Sequence, residues 1–141
     1  MISKAHRSWN MSRIRAKDTK PERAVLRLLR SLGYRPQPHR RDLPGIPDFA
    51  LPRRKIAVFV HGCFWHRHSG CNYCYSPKTN IRFWTAKFQA NVRRDRVVRR
   101  QLSKEGWQTV IIWECELGVT KRLRARLRRA LGHRIGSVGL R

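Results

Sequence analysis

The chain has 141 residues, which suits one folded domain with a single hydrophobic core. Its 33 Lys and Arg residues against 8 Asp and Glu residues give a formal net charge of +25, which predicts a polyanionic partner such as DNA or RNA. No stretch approaches the roughly 18 consecutive apolar residues of a membrane span, and the N-terminus lacks the apolar segment of a secretory signal. We therefore expect a cytoplasmic protein without membrane contact.

The two ends of the chain differ in composition from its middle. Residues 1–17 carry many cations and few periodic apolar residues, so we predict an N-terminal arm that contacts nucleic acid. Residues 18–132 hold the apolar patterns of a folded domain. Residues 133–141 follow Gly132, which we expect to end the last helix, and we predict that they form a flexible C-terminal tail.

The predicted domain begins with a helix. Its first turn reads Thr19-Lys20-Pro21-Glu22, a capping box in which Thr19 is the N-cap and Glu22 reaches back to it. Gly33 is expected to end this helix. Residues 34–47 contain four prolines, which predict a turn-rich connection with a short strand near Tyr34.

The rest of the domain alternates strands and helices. A short run at residues 48–51 and an apolar run at residues 56–60 predict two strands, the second covered on both faces. A helix over residues 81–102, ending at Gly106, leads to an apolar strand at residues 109–113, and a last helix is predicted over residues 120–131. This order predicts an α/β fold in which helices flank a small mixed sheet.

Three potential zinc ligands lie in one loop after the second predicted strand: Cys63, His68 and Cys71. With one further thiolate they would make a closed tetrahedral site of the structural kind. Two residues compete for that place, namely Cys115, which follows the next strand, and Cys74, which forms a CxxC pair with Cys71. The pattern slightly favours Cys115. Four unliganded thiols are the remaining alternative.

A closed zinc site cannot activate water, so any catalysis must come from other residues. Asp48 offers the oxygen ligand that Mg²⁺ prefers, and His61 and His66 suit a general base, a general acid or a hydrogen-bond donor to phosphate. The alternative is that Asp48 caps a turn and His61 lies in the core. Asp95 either supports the core or approaches this site, and we favour support of the core.

Three motifs together resemble one known family. They are Pro47-Asp48-Phe49, Val60-His61-Gly62-Cys63-Phe64-Trp65-His66 and Trp113-Glu114-Cys115. Their sequences and separations are similar to those of the very short patch repair (Vsr) endonucleases, and the likeness extends over about residues 10–117. The hexapeptide at residues 61–66 of the second motif, His-Gly-Cys-Phe-Trp-His, is specific enough to make a coincidence improbable.

The resemblance implies a restriction-endonuclease-like fold of the PD-(D/E)XK type with a structural zinc site. It also implies a Mg²⁺-dependent, strand-specific nick 5′ to the thymine of a T·G mismatch in double-stranded DNA, a mismatch that arises by deamination of 5-methylcytosine. The expected partners are mismatch-repair proteins and a repair polymerase. We expect a monomer that works at the bacterial nucleoid.

The resemblance also implies roles for individual residues. The active-site residues correspond to Asp48, His61, His66 and Glu22, with Mg²⁺ held by Asp48 and the backbone carbonyl of Val60. The structural Zn²⁺ ligands correspond to Cys63, His68, Cys71 and Cys115. The residues that wedge between base pairs correspond to Met11, Phe64 and Trp65, and ordinary core packing is the alternative for the two aromatic side chains.

Two other functions are compatible with these motifs. One is a zinc-stabilised nucleic-acid-binding module without catalysis, and the other is a Vsr-fold nuclease with a different or broader DNA substrate. Asp48 together with both histidines favours an enzyme, because a binding module has no need of an acid where Mg²⁺ would bind.

Overall fold

A computed structural model describes residues 19–139, with side chains described up to Gly132. Four strands form one mixed sheet in the order β1-β2-β3-β4; they span Gln37–Pro38, Phe49–Leu51, Ile56–His61 and Gln108–Trp113. The pairs β1–β2 and β2–β3 are antiparallel, and β3–β4 is parallel. This arrangement confirms the predicted mixed sheet. The predicted N-terminal arm, including Met11, lies outside the described residues.

Helices cover both faces of the sheet. On one face lie α1 (Lys20–Ser31) and α3 (Thr120–Gly139), and on the other lies α2 (Ile81–Lys104). The first face buries the helix residues Val25, Leu28, Leu29, Leu123, Leu127 and Leu131 against the sheet. On the second face, Leu102 of α2 packs in the core with sheet residues that include Ala50, Ala57 and Phe59.

Strand β3 runs through the middle of this sandwich. Ile56 and Val58 belong to the core under α1 and α3, whereas Ala57 and Phe59 belong to the core under α2, as the alternation of side chains along a strand requires. All four are buried, which confirms a strand covered on both faces. By the same alternation, His61 lies on the face that α2 covers.

The ends of α1 follow the predicted signals. The backbone N–H of Glu22 donates to Oγ1 of the N-cap Thr19 at 3.4 Å. At the other end, Gly33 has a φ of +92°, its N–H donates to the Arg30 carbonyl, and the next N–H, that of Tyr34, donates to the Leu29 carbonyl. This is a Schellman motif, in which a left-handed residue satisfies the last carbonyls of a helix.

Two sequence-based boundaries differ from the structure. The first short strand lies at Gln37–Pro38, while Tyr34 is buried in the core at the end of α1. Helix α3 continues through Gly132 to Gly139, so the predicted end at Gly132 was wrong. A glycine inside a helix costs about 1 kcal/mol relative to alanine, which does not by itself stop a helix when no proline follows. The flexibility of residues 133–141 stays a prediction.

No helix within the described part of the chain combines the length and the apolar character needed to cross a membrane.

Candidate active site and metal cluster

Three cysteines and one histidine meet beyond the ends of β3 and β4. The ligand atoms of Cys63, His68, Cys71 and Cys115 all lie within 4.8 Å of one another. The Sγ of Cys115 is 3.4 Å from Nδ1 of His68, and the backbone N–H of Cys115 donates to Sγ of Cys63 at 3.4 Å. Cys74 does not belong to this cluster. Of the two candidates for the fourth position, the structure therefore brings Cys115 to the other three ligands.

The strand register explains why Cys115 is the fourth member. In the parallel pair β3–β4, His61 lies opposite Trp113, so Cys63 and Cys115 each follow two residues after the last paired position. The carboxyl ends of neighbouring parallel strands lie side by side. Cys63 and Cys115 follow these ends by the same number of residues, which brings the two thiols together. The His68 ring stacks on Trp113 at 4.1 Å between centroids, which fixes the third ligand on the same edge.

The chemistry of this donor set fits a closed zinc site. Burial, together with the neighbouring thiols of Cys115 and Cys71, raises the pKa of Cys63 to about 12. Of the three thiols, that of Cys63 is buried, and its raised pKa disfavours the thiolate form unless a cation is bound nearby. Zn²⁺ deprotonates coordinating thiols, and a set of three thiolates and one imidazole is a common structural coordination shell.

A histidine–aspartate pair lies next to this cluster. Nδ1 of His66 is 2.7 Å from Oδ2 of Asp95, and the His61 ring stacks on the His66 ring at 3.7 Å between centroids and 6° between planes. Nε2 of His61 is 4.0 Å from the other oxygen of Asp95. The expectation that Asp95 supports the core was wrong, because its carboxylate faces both histidines of the site.

Asp95 was missed because its position depends on how α2 packs. His61 faces α2, and Asp95 and Asn91 lie one turn apart on the side of α2 that meets this end of the sheet. The buried Asn91 donates from Nδ2 to the Trp65 carbonyl at 3.2 Å and so ties the loop to the helix. The sequence signals were the small number of acids and the spacing of four residues between Asn91 and Asp95 on a helix, a weak motif that the family resemblance also includes.

The pKa of His61 is lowered to about 4, first by burial and then by the neighbouring His66. Its ring is therefore neutral near pH 7. Nδ1 of this ring is buried and has no hydrogen-bond partner among the described residues. A neutral imidazole of this kind can donate or accept one hydrogen bond without carrying charge into the site.

Two carboxylates and a further histidine form a second polar group. Asp48 precedes β2, and its Oδ2 accepts a 2.7 Å hydrogen bond from the backbone N–H of Val60. Burial, followed by the charge of Glu22, raises the pKa of Asp48 to about 7. Nε2 of His39 lies 3.3 Å from Oε2 of Glu22. The sequence reasoning missed His39, because it lies in the proline-rich connection of residues 34–47, which carries no periodic signal.

Both polar groups open into one cavity of about 540 Å³. The acidic and imidazole side chains on its wall are Glu22, Asp48, His61, His66, Asp95 and Glu114. The same wall includes Arg94 and Arg99, which add positive charge, and the aromatic side chains Phe64 and Trp65. The candidate catalytic residues and the candidate wedge residues Phe64 and Trp65 therefore share one space, while Met11 lies outside the described residues.

Phe64 stands at the centre of an aromatic cluster. Its ring lies 5.2 Å from Trp65, 4.8 Å from Tyr75, 5.4 Å from Trp84 and 5.1 Å from Phe88, measured between centroids. Both Phe64 and Trp65 are only half-buried. They pack on α2 and at the same time present a surface to the cavity, so core packing and contact with a bound molecule are compatible for this pair.

The chain was compared with known protein families and curated proteins. The family described as "DNA mismatch endonuclease Vsr" matches residues 1–73, slightly more than half of the chain. The chain belongs to the Vsr family. Among its relatives is the DNA mismatch endonuclease Vsr of Escherichia coli strain K12, which is 40% identical over 117 residues covering 81% of this chain and 72% of that protein.

Two further relatives of this Vsr-family chain are named as nicking enzymes. Type II nicking enzyme V.XorIIP of Xanthomonas oryzae pv. oryzae is 45% identical over 130 residues, which cover 92% of this chain and 95% of the relative. Type II nicking enzyme V.NmeAIP of Neisseria meningitidis serogroup A is 39% identical over 129 residues, which cover 92% and 91%. The protein is therefore a DNA endonuclease, as the sequence predicted.

Proposed function

We propose that this endonuclease makes a Mg²⁺-dependent, strand-specific nick 5′ to the thymine of a T·G mismatch. The observation that carries the proposal is that one cavity combines three features: the carboxylates of Asp48 and Glu22, the His66–Asp95 pair and an aromatic side-chain pair. The first two features serve hydrolysis of a phosphodiester, and the third serves recognition of an unstacked base step.

We assign the Mg²⁺ site to Asp48 and the backbone carbonyl of Val60, with Glu22 beside them. The Val60 N–H donates to the Asp48 carboxylate. Because the N–H and C=O of one strand residue point to the same side of the strand, the Val60 carbonyl lies on the side of Asp48 as well. An Asp48 carboxyl with a pKa of about 7 also fits this assignment, because a nearby cation favours its charged form. When bound, Mg²⁺ would supply Lewis-acid activation and neutralise phosphate charge.

His66 is the proposed general base. The 2.7 Å contact with Asp95 favours a proton on Nδ1, which leaves the lone pair of Nε2 free to accept a proton from the attacking water. Asp95 also stabilises the positive charge that His66 gains in that step, as a carboxylate does behind any catalytic histidine. His61, which is neutral near pH 7, serves as a hydrogen-bond partner of the reacting groups.

Phe64 and Trp65 are the proposed wedge residues, together with Met11 from the arm. Insertion of an apolar side chain between base pairs costs a few kcal/mol of unstacking, and the cost is least at a mismatched step. The aromatic cluster on α2 holds Phe64 and Trp65 beside the reaction cavity. Recognition of the mismatch would therefore place the neighbouring phosphate close to His66 and Asp48.

The proposed structural Zn²⁺ would connect the residues of mismatch recognition with those of strand cleavage. Cys63 lies between His61 of the reaction cavity and Phe64 of the aromatic cluster, so a metal bound by Cys63, His68, Cys71 and Cys115 would fix both neighbours at once. After the nick, a repair polymerase and mismatch-repair proteins are the proposed partners at the bacterial nucleoid, because a nicked strand must be resynthesised and sealed.

The proposal is tested with duplexes labelled separately on each strand. The zinc-loaded protein and an Asp48→Ala variant are incubated with Mg²⁺ and either a T·G duplex or the matched C·G duplex. We expect the protein to nick only the thymine strand of the T·G duplex, and we expect the variant to be at least a thousandfold slower while it still binds the duplex. Equal rates for protein and variant would contradict the assignment of Asp48.

A second candidate is a Vsr-fold nickase with a different or broader DNA substrate. It is favoured by the name "Type II nicking enzyme" that two of the relatives carry. The same experiment separates the two candidates. Nicking of the matched duplex at the same rate as the T·G duplex would favour the broader substrate and would contradict mismatch repair.

A further inference from the structure

We propose that His39 completes a carboxylate–imidazole metal site with Glu22 and Asp48, and that this site binds Mn²⁺ in preference to Mg²⁺. The inference deepens the proposed function, since it concerns the cation that is assigned to Asp48. It adds a ligand and a metal preference that the sequence motifs did not reveal.

The geometry of the three side chains carries the proposal. One ligand atom of Glu22, one of His39 and one of Asp48 lie within 4.8 Å of one another, with Nε2 of His39 at 3.3 Å from Oε2 of Glu22. The side chains of His39 and Glu22 are 22% and 12% exposed. The three ligands are thus near one another and partly shielded from water, which is the condition for a site that competes with hydration.

The backbone holds His39 in this place. Its N–H donates to the carbonyl of Asp48 at 3.2 Å, so two of the three ligands are joined directly through the main chain. His39 has a φ of +48°, a left-handed conformation that non-glycine residues rarely adopt. Such a conformation persists only where the surroundings enforce it, and it is concentrated at functional sites.

Two cavities adjoin the three proposed ligands. Glu22 lines the large reaction cavity, and together with His39 it also lines a smaller cavity of about 250 Å³. The three-ligand group therefore lies between two spaces that water and ions can enter. A metal held by these three residues would be accessible from the reaction cavity, which Glu22 and Asp48 line.

The ligand set determines the metal preference. Mg²⁺ takes oxygen ligands in near-ideal octahedral geometry and gains little from an imidazole. Mn²⁺ also accepts carboxylates, yet it binds imidazole better and tolerates less regular geometry. One nitrogen between two carboxylates should therefore raise affinity for Mn²⁺ while leaving that for Mg²⁺ almost unchanged.

The test uses the full-length protein without DNA, loaded with one zinc per chain by metal analysis. Mn²⁺ and Mg²⁺ are titrated calorimetrically into the protein, into His39→Asn and into the control His66→Asn. Asparagine tolerates a positive φ, so the first variant removes the imidazole without forcing the backbone to change. Nitrogen hyperfine coupling is measured by electron spin echo spectroscopy of the bound Mn²⁺.

We expect the protein to bind Mn²⁺ at least tenfold more tightly than Mg²⁺. His39→Asn should lose about tenfold in Mn²⁺ affinity and less than twofold in Mg²⁺ affinity, and its imidazole nitrogen coupling should disappear. The control should retain both the affinity and the coupling. If His39→Asn does not fold with one zinc per chain, His39→Gly provides the same test, because glycine accepts the backbone conformation freely.

Equal affinity for both metals in the unmodified protein, or a nitrogen coupling that survives in His39→Asn, would overturn the proposal. A loss of Mn²⁺ and Mg²⁺ affinity by the same factor would also overturn it, because it would mean that His39 only positions Glu22. None of these measurements needs nicking. If the T·G duplex is not nicked while the metal results are as expected, the proposed function fails and this site stands.

Discussion

Neighbouring side chains in the cavity are held in different charge states. His61 is neutral near pH 7 because burial lowers its pKa to about 4, whereas burial raises the pKa of Asp48 to about 7 and so favours the protonated form of this carboxyl. His66 lies against the Asp95 carboxylate. In the proposed mechanism, His66 accepts a proton while its stacked neighbour His61 adds no charge.

Replacement of Asp95 by asparagine should slow nicking without weakening DNA binding. The amide cannot hold a proton on Nδ1 of His66 as the carboxylate does, nor stabilise the charged ring, so we expect kcat to fall by about 10²- to 10⁴-fold. The Kd for the mismatched duplex should change less than about threefold. Asp42→Asn is the matched control, because Asp42 pairs with Arg40 on the surface and should leave kcat unchanged. Equal effects of both variants would contradict the assignment of Asp95.

The raised pKa of Asp48 predicts a pH-dependent stability of the zinc-loaded protein in buffers free of other divalent cations. The pKa of Asp48 is about 7 in the folded chain and 3.8 for the unperturbed group, so stability from this residue is present at low pH and is lost as the pH rises through 7. Asp48→Asn does not titrate, and its amide oxygen can still accept the Val60 N–H.

Urea unfolding at about pH 6 and pH 8.5 measures this effect. We expect the free energy of unfolding of Asp48→Asn relative to the unmodified protein to increase by about 1.4 kcal/mol between these pH values. The same relative stability at both values would mean that Asp48 is already ionised at the lower pH, which would contradict its buried, proton-binding state.

Among the secondary-structure elements, the strand ends carry both proposed metal-binding groups. The parallel register of β3 and β4 brings Cys63 to Cys115, and the antiparallel pairing of β2 with β3 brings Asp48 to the Val60 N–H. Helix α2 then supplies Asp95 from the face that covers His61. The site is thus built from the edge where the sheet ends and from one helix across it.

The left-handed conformation of Gly33, at the end of α1, should contribute to stability although a side chain at this position would contact no other residue. A Cβ at Gly33 would meet no atom within 4 Å, so the cost of Gly33→Ala comes from its φ of +92° alone. We expect a loss of about 1–2 kcal/mol in urea unfolding. Gly118 has equally open space without a positive φ, and Gly118→Ala should change stability by less than about 0.5 kcal/mol. Similar losses for both variants would contradict this explanation.

Local signals in the sequence predicted most of the fold. Caps, glycines and apolar periodicity indicated the helices and the long strands. The end of α3 was placed too early, and the first short strand was placed near Tyr34 instead of at Gln37–Pro38. Residue types and motif resemblance also indicated Asp48, His61 and the ligands of the cysteine cluster. Asp95 and His39 were not identified as site residues, because their positions depend on how α2 packs and how the proline-rich connection turns. These are long-range features that no local pattern encodes.

For the whole molecule, we expect metal binding by the cysteine cluster to stabilise the loop that carries Phe64 and Trp65. We expect one structural zinc per chain. Cys115→Ser should lose this zinc and Cys74→Ser should retain it, because Cys115 belongs to the cysteine cluster and Cys74 does not. Loss of zinc should expose the loop carrying Phe64 and Trp65 to proteolysis and reduce nicking at least tenfold. Metal analysis, limited proteolysis and nicking assays check these outcomes. Full activity after verified zinc removal would contradict the structural role.

In the proposed mechanism, recognition of the mismatch and cleavage occur in one cavity, so the position of the mismatch fixes the position of the cut. The most direct measurement maps nicks in a pool of duplexes that carry one T·G mismatch between randomised flanking sequences, beside a matched C·G pool, by sequencing the nicked ends. We predict that the ends cluster at the phosphate 5′ to the mismatched thymine and that the matched pool stays intact. Cuts that follow the flanking sequence and appear equally in both pools would contradict the account.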